Sequence, residues 1–394
     1  MNKTFTHSRN PFFENIPDRR NQSESNKWRK VPEGYLPMSI ADMDCLCPTE
    51  VHEALRRRID HNIFGYGRAR PELYELVQTH MKEKYGWEFD VDDIRWSAGV
   101  IMGFNQVLDG MAKKTDRILL QTPNYPPILE TPRDRGLPMV DAPLVRNADG
   151  RFEIDFDRFE AAITPDTKFF LFSNPQNPTG RVFTRQELEK IAEICLRHGL
   201  YILSDEIHQD MIYSGHQHTP IASLDKEVAM RTATFTAASK TYNIAGLKCS
   251  YAVIPNPELR EAFDRGGVGL VDSINVLGLT ATDAAYRYCD QWLKDVMVYL
   301  EENRDYLAEE IAGINGMSMV PPEGTYLAWI DCSGLGLDRS PYSFFFDEAK
   351  LVFNEGSTFG KEYGSYIRLN FGCPFETLQY AVKKIKEVTA KLRA

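Results

Sequence analysis

A chain of 394 residues exceeds what one ordinary hydrophobic core organises, so two domains are expected. Hydrophobic residues make up 43% and charged residues 26%, the balance of a soluble globular protein, and no apolar run reaches the roughly 18 residues of a membrane span. Lys plus Arg number 46 against 56 Asp plus Glu; the net charge of −10 argues against a general nucleic-acid binder, which needs a basic face.

The N-terminal stretch is polar and lacks the apolar centre of a secretion signal. Seven cysteines lie scattered at 45, 47, 195, 249, 289, 332 and 373 with no repeated CxxC framework, which predicts reduced thiols in a cytoplasmic protein. The first 45 or so residues have weak periodicity and are expected to form an arm on another domain or on a partner chain. Further on, "DRILLQ" (116–121), "KFFLFS" (168–173), "YILSD" (201–205), "TATFTAAS" (232–239) and "CSYAVI" (249–254) read as strands. Residues 184–199 read as a helix, with Thr184 as N-cap, Glu187 completing a capping box and Gly199 as the stop. This alternation predicts an α/β unit with a mostly parallel sheet covered on both faces. Residues 286–313 read as one long helix, "GTYLAWID", "KLVFNEG" and "YIRLN" as strands, and 375–392 as a closing helix, a smaller α+β domain. The divisions are therefore 1–48 for the arm, 49–285 for the large domain and 286–394 for the small one.

In open α/β sheets the site lies beyond the C-terminal strand ends. There, "KFFLFS" runs into "NPQNPTG", "YIL" into "SDEIHQD" and "TATFTAA" into "SKTYNIAG", which brings Asn177, Asp205 and Lys240 to three strand ends. A lysine amine can bond covalently to the aldehyde of pyridoxal phosphate, a carboxylate can keep the pyridine nitrogen protonated, and an amide can hydrogen-bond the phenolic oxygen. The alternative of a metal site draws on His208, His216, His218, Asp205 and Asp210, but their spacing matches no recognised ligand pattern.

The stretches "SNPQNPTG", "DEIHQD", "SKTYNIAG" and "IRLN" resemble the fold-type I pyridoxal-phosphate enzymes of the class I/II aminotransferase superfamily, over nearly the whole chain. "SIADMD", "GYG" and "TPNYPP", with "DEIH" and "SKTYNIAG", resemble within it the cystathionine β-lyase, or cysteine C–S β-lyase, group. The resemblance implies a seven-stranded sheet in the large domain. It implies that Lys240 carries the cofactor and shuttles protons, Asp205 meets the ring nitrogen, Asn177 the phenolic oxygen, and His208 lies near the ring. Tyr125 would stack on the ring, and the phosphate would sit on the N–H groups of Val100 and Ile101 with Ser239 and Lys248 beside it. Tyr66 would reach the phosphate of a neighbouring subunit, which implies a homodimer. Arg368 would grip the substrate α-carboxylate, with Ala41 and Asp42 also near the substrate. Three positions depart from the group's pattern: Ala238 in place of a proline, the bulky "AGVIMGFN" loop, and Cys45 where an aromatic is expected, which would shape the substrate entrance. The implied reaction is α,β-elimination from a cysteine thioether to thiol, pyruvate and ammonia. An aminotransferase on the same scaffold is the first rival. A binding or regulatory protein is the second, but Lys240 is present and no helix-turn-helix extension is apparent.

Overall fold

The structure is a computed structural model that describes residues 7, 9–270 and 273–392. Residues 1–6 and 8 of the expected arm, 271–272 of the expected large domain and 393–394 at the end lie outside the described residues.

The larger sheet has seven strands: β1 (Ile94–Ser97), β2 (Arg117–Leu120), β3 (Met139–Asp141), β4 (Thr167–Ser173), β5 (Tyr201–Asp205), β6 (Thr232–Thr236) and β7 (Ser250–Val253). Their spatial order is β1-β7-β6-β5-β4-β2-β3. All neighbours run parallel except β7, which is antiparallel to both β1 and β6. In β4, Phe169 and Leu171 pack on one face with Val107, Leu203 and Phe235, while Phe170 and Phe172 pack on the other with Ile191 and Ile194. Burial on both faces explains why this strand reads as an unbroken apolar run.

Helices cover both faces. In chain order they include α1 (Pro71–Tyr85), α2 (Val100–Met111), α3 (Arg185–Arg197), the four-residue α4 (Ala238–Thr241), α5 (Val276–Tyr288), α6 (Asp290–Ala312) and α7 (Phe375–Lys391). Helix α3 has the expected capping box between Thr184 and Glu187 and buries Leu188, Ile191, Ala192 and Cys195 on one stripe. Gly199 follows it at φ +67°, the left-handed conformation that ends a helix.

The smaller sheet contains β8 (Ser318–Met319), β9 (Leu327–Asp331), β10 (Asn354–Glu355) and β11 (Tyr366–Asn370), in the order β8-β9-β11-β10. The arm lies beside it: Leu36 and Pro37 pair in parallel with Leu351 and Val352 as a separate two-stranded sheet, and Asn370 N–H of β11 donates to the Met38 carbonyl at 2.8 Å. Further back, Phe13 stacks on Tyr299 of α6 with ring centroids 4.1 Å apart.

Four readings are corrected. The run 232–239 is not all strand: β6 ends at Thr236 and helix α4 begins at Ala238, so Lys240 lies in a helical turn. The long helix over 286–313 is two, α5 and α6, which meet at Cys289 (φ −108°, ψ 19°). Nothing in that stretch is a helix breaker, so the bend has no local signal, and residue 285 lies inside α5. "KLVFNEG" is two short strands around buried Phe353, one pairing with the arm and one with β11. Strands β1 and β3 went unread because each is short; β1 carries an arginine, and β3 is a sheet edge with Met139 exposed.

Candidate active site

Strands β4, β5 and β6 are neighbours, and Ser173 is in register with Asp205, which is in register with Phe235. The segments that leave these three strand ends therefore converge, and they carry Asn177, Asp205 with His208, and Lys240. Arg368 arrives from the smaller sheet and donates through Nη1 to Asn177 Oδ1 at 2.7 Å.

Arg368 is buried, and among the described residues no carboxylate pairs with it. Its Nη2 donates to Asn354 Oδ1 at 2.7 Å and to the Ser39 carbonyl at 3.2 Å, its Nε has no partner, and the guanidinium lies 4.8 Å from the Phe359 ring centroid. Burial pushes its pKa down to about 10, against the opposing influence of Tyr125 and Tyr326. A buried guanidinium without a counter-charge is a site for an anion, and a carboxylate matches its fork.

Asp205 is buried, and among the described residues its carboxylate accepts one hydrogen bond, from the Ile207 N–H at 3.1 Å. Burial pushes its carboxyl up to about 7, against that bond and the charge of Lys240. Among the described residues no cation contacts its carboxylate, and a protonated ring nitrogen would supply one. Asn177 has its Oδ1 occupied by Arg368, which leaves its NH2 end as the donor for a phenolic oxygen. Burial first, then the charges of Lys240 and Arg368, push His208 down to about 3, so its imidazole is neutral; its Nδ1 has no partner. Burial raises Tyr125, and both Arg368 and Asp205 act on it, so it belongs to the same cluster. Helix α2 begins at Val100, and the N–H groups of its first turn, those of Val100 and Ile101 included, have no intrahelical acceptor. The residues present fit pyridoxal phosphate: an amine, a carboxylate short of a cation, an amide donor and a helix N-terminus.

Lys240 Nζ donates to the Ala41 carbonyl at 2.6 Å. Burial pushes its pKa down to about 8, with Asp42 opposing and Arg368 reinforcing the shift. Ala41 thus enters the site through its backbone oxygen. Asp42 is held by both ends of the Arg19 guanidinium, at 3.3 and 3.1 Å.

Tyr66 lies apart: it is 92% exposed, and among the described residues none covers it. Lys248 is exposed too, but its charge reaches Lys240. Cys45 does not line the entrance: it is buried in the core with Asn243 Nδ2 3.5 Å from its Sγ, and burial holds its thiol pKa well above the usual value. The histidines and acids weighed as metal ligands turn to separate partners. His218 pairs with Glu206 at 2.9 Å, Asp210 accepts from Lys84 and Tyr85, and His216 is exposed.

Three further residues contribute, to which their sequence motifs assign no role. Asn243 brackets Met43 with bonds of 3.0 Å to its N–H and its carbonyl, and it reaches the Cys45 carbonyl at 2.8 Å. Asn370 Nδ2 donates to the Ile40 and Asp42 carbonyls at 2.6 and 2.7 Å. Asp44 pairs with Arg19, with Lys27 at 2.6 Å and with Trp28 Nε1 at 2.8 Å. The one signal available was period two: Asn370 follows Arg368 by two residues in a strand, so both face the same side.

The sequence profile of the family "Aminotransferase class I and II" matches residues 33–385. Cystathionine beta-lyase PatB of Bacillus subtilis (strain 168) is 34% identical, covering 92% of this chain and 96% of that protein. Among solved structures, cystalysin from Treponema denticola, which contains pyridoxal 5'-phosphate, superposes with TM-score 0.92 at 31% identity, covering 96% of this chain and 99% of that one. The pyridoxal-phosphate-bound C–S lyase from Staphylococcus hominis gives TM-score 0.90 at 31% identity over the same shares. The aspartate aminotransferase of Pyrococcus horikoshii is more distant, at 23% identity over 90% of each chain. With its profile match across most of its length and a strand order that brings together the segments carrying Asn177, Asp205 and Lys240, this chain belongs to the class I and II aminotransferase family.

Proposed function

We propose that this protein is a pyridoxal-phosphate-dependent carbon–sulfur β-lyase that acts on a cysteine thioether such as cystathionine and releases thiol, pyruvate and ammonia. The observation that carries the reading is Arg368, a buried guanidinium without a carboxylate that is bonded to Asn177 in the same cluster as Lys240 and Asp205. Support for lyase over transaminase comes from the lyase relatives, which are more similar than the aspartate aminotransferase.

Pyridoxal phosphate, when bound, supplies an electron sink for charge developing at the substrate Cα. Lys240 would anchor it, Asp205 would face its ring nitrogen, Asn177 and Tyr125 would contact the ring, and the first turn of α2 with Ser239 and Lys248 would take the phosphate. Arg368 holds the substrate carboxylate and so fixes the orientation of the Cα–H bond. Lys240, with its pKa lowered to about 8, removes the Cα proton through Nζ. The β-thiolate then leaves and takes up a proton as the thiol, and the released aminoacrylate is hydrolysed by water to pyruvate and ammonia. The buried Arg368, Asp205 and His208 surround the reacting atoms with groups that exclude bulk water.

The exposure of Tyr66 supports a homodimer in which this side chain completes the neighbour's phosphate site. The seven cysteines, all free, support a cytoplasmic setting. Among the described residues no helix is long and apolar enough to cross a membrane. The division into arm, large domain and small domain is proposed at 1–48, 49–285 and 286–394, supported by the separate sheets.

The test is an absorption spectrum and a product assay. The purified protein with pyridoxal phosphate is expected to show a visible band lost in Lys240→Ala, and to form pyruvate from cystathionine without an added keto acid. Strict dependence on a keto acid would establish the aminotransferase reading, which uses the same residues. A protein that stays colourless with the cofactor would refute both.

A further inference from the structure

Ala41 O is shared by two side-chain donors. Lys240 Nζ donates at 2.6 Å and Tyr326 OH at 3.0 Å, so both lone pairs of this one carbonyl are used. Its neighbours in the chain are turned elsewhere: the Ile40 and Asp42 carbonyls both accept from Asn370 Nδ2, and the Asp42 N–H closes back onto the Ile40 carbonyl at 2.9 Å. The arm is pinned on either side of Ala41, and the Ala41 oxygen is the one left for the lysine.

Tyr326 is itself rigidly placed. It is fully buried, and it follows Thr325, a β-branched residue at φ +70°. That strained conformation persists only where the surroundings over-determine it. Here the Thr325 N–H donates to the Met211 carbonyl at 2.9 Å, its carbonyl accepts from Tyr213 OH at 2.6 Å, and its Oγ1 accepts from the Leu327 N–H at 3.2 Å. A buried phenol requires an acceptor, and Tyr326 finds it in Ala41 rather than in any side chain.

We infer that Tyr326 is a positioning residue for Lys240, acting through the Ala41 carbonyl that holds the free lysine amine in place. The general-base consequence rests on the proposed elimination; the hydrogen-bonded arrangement does not. Once a substrate amine takes its place on the cofactor, Lys240 returns to this cradle, close to where the Cα proton must be taken. Without the phenol the carbonyl keeps only the restraint of its flanking bonds, and the amine is held less firmly.

Tyr326→Phe deletes only the hydroxyl and keeps the ring. In cofactor-free protein, reductive methylation mapped by mass spectrometry reads the amine directly: Lys240 is expected to react at least threefold faster in Tyr326→Phe. Lys27, buried and paired with Asp44, is the internal control and is expected to react at an unchanged rate. In the reconstituted enzyme kcat is expected to fall at least tenfold, with the visible band retained, KM within twofold, and a larger isotope effect from α-deuterated substrate. An unchanged Lys240 rate overturns the inference. So does a parallel rise at Lys27, which would mean general loosening, or an unchanged kcat and isotope effect. Should Tyr326→Phe not fold, Tyr326→Met removes the hydroxyl with a side chain that adapts to the cavity, and the same rise at Lys240 is expected; no rise overturns the inference. If wild type forms no pyruvate, the elimination reading fails, and the methylation rates alone decide the role of Tyr326.

Discussion

Arg368 Nη1 and Asn177 Oδ1 stand 2.7 Å apart across 191 residues of sequence, joining β11 of the smaller sheet to the loop after β4 of the larger one. The anion site and the proposed ring site are therefore one unit, and neither sheet alone contains it. Arg368→Lys keeps the charge but loses the planar fork. It is expected to lower kcat/KM about 100-fold, roughly 2.7 kcal/mol of transition-state stabilisation. Steady-state kinetics with pyruvate detection checks this, and the visible band should persist because Lys240 is untouched.

The carboxyl of Asp205, raised by burial to about 7, makes the stability of cofactor-free protein depend on pH. Between about pH 4 and pH 7 the folded state binds this proton and the unfolded chain does not, so stability falls as pH rises through that window. Thermal melts of cofactor-free protein from pH 4 to pH 8 should show this loss, on the order of a few kcal/mol. In Asp205→Asn that contribution vanishes, and the two melting profiles should converge towards the acid end.

Glu323 clamps the segment after Asn177 to the turn before β9. Its Oε2 accepts from Arg181 Nε at 3.3 Å and the Val182 N–H at 2.8 Å, and its Oε1 accepts from Arg151 Nε at 2.9 Å. Arg181 is buried and keeps Glu187 as its other partner. Glu323→Ala is expected to cost about 3 kcal/mol, because it removes one partner of a buried ionic network. Urea midpoints of the two proteins measure it.

Cys45→Phe tests the placement of that side chain. In a buried position the larger ring overpacks the core and should cost about 1–3 kcal/mol. The ratio of kcat/KM values between two thioether substrates should stay the same. A changed ratio at unchanged stability would return Cys45 to the substrate entrance.

By itself the sequence determined much of the larger sheet and the identity of the chemical groups. Strand β4 is apolar on both faces and α3 carries its own caps, so each declares itself within a few residues. Lys240, Asp205 and Asn177 follow strand ends, where a parallel sheet collects its site. Tertiary structure alone decided how the arm enters the site. Tyr326 lies in an apolar run that reads as core, Asn370 looks like the end of a strand, and nothing near Asp42 and Asp44 in the sequence names Arg19 and Lys27 as their partners. The division of 286–313 into two helices and the burial of Cys45 were equally hidden. The physical reason is that local periodicity and capping are written over a handful of neighbouring residues, whereas the partner of a buried polar group lies farther off, 17 residues away for Asp44 and Lys27 and 330 for Asn370 and Ile40, where only the packed chain brings it into reach.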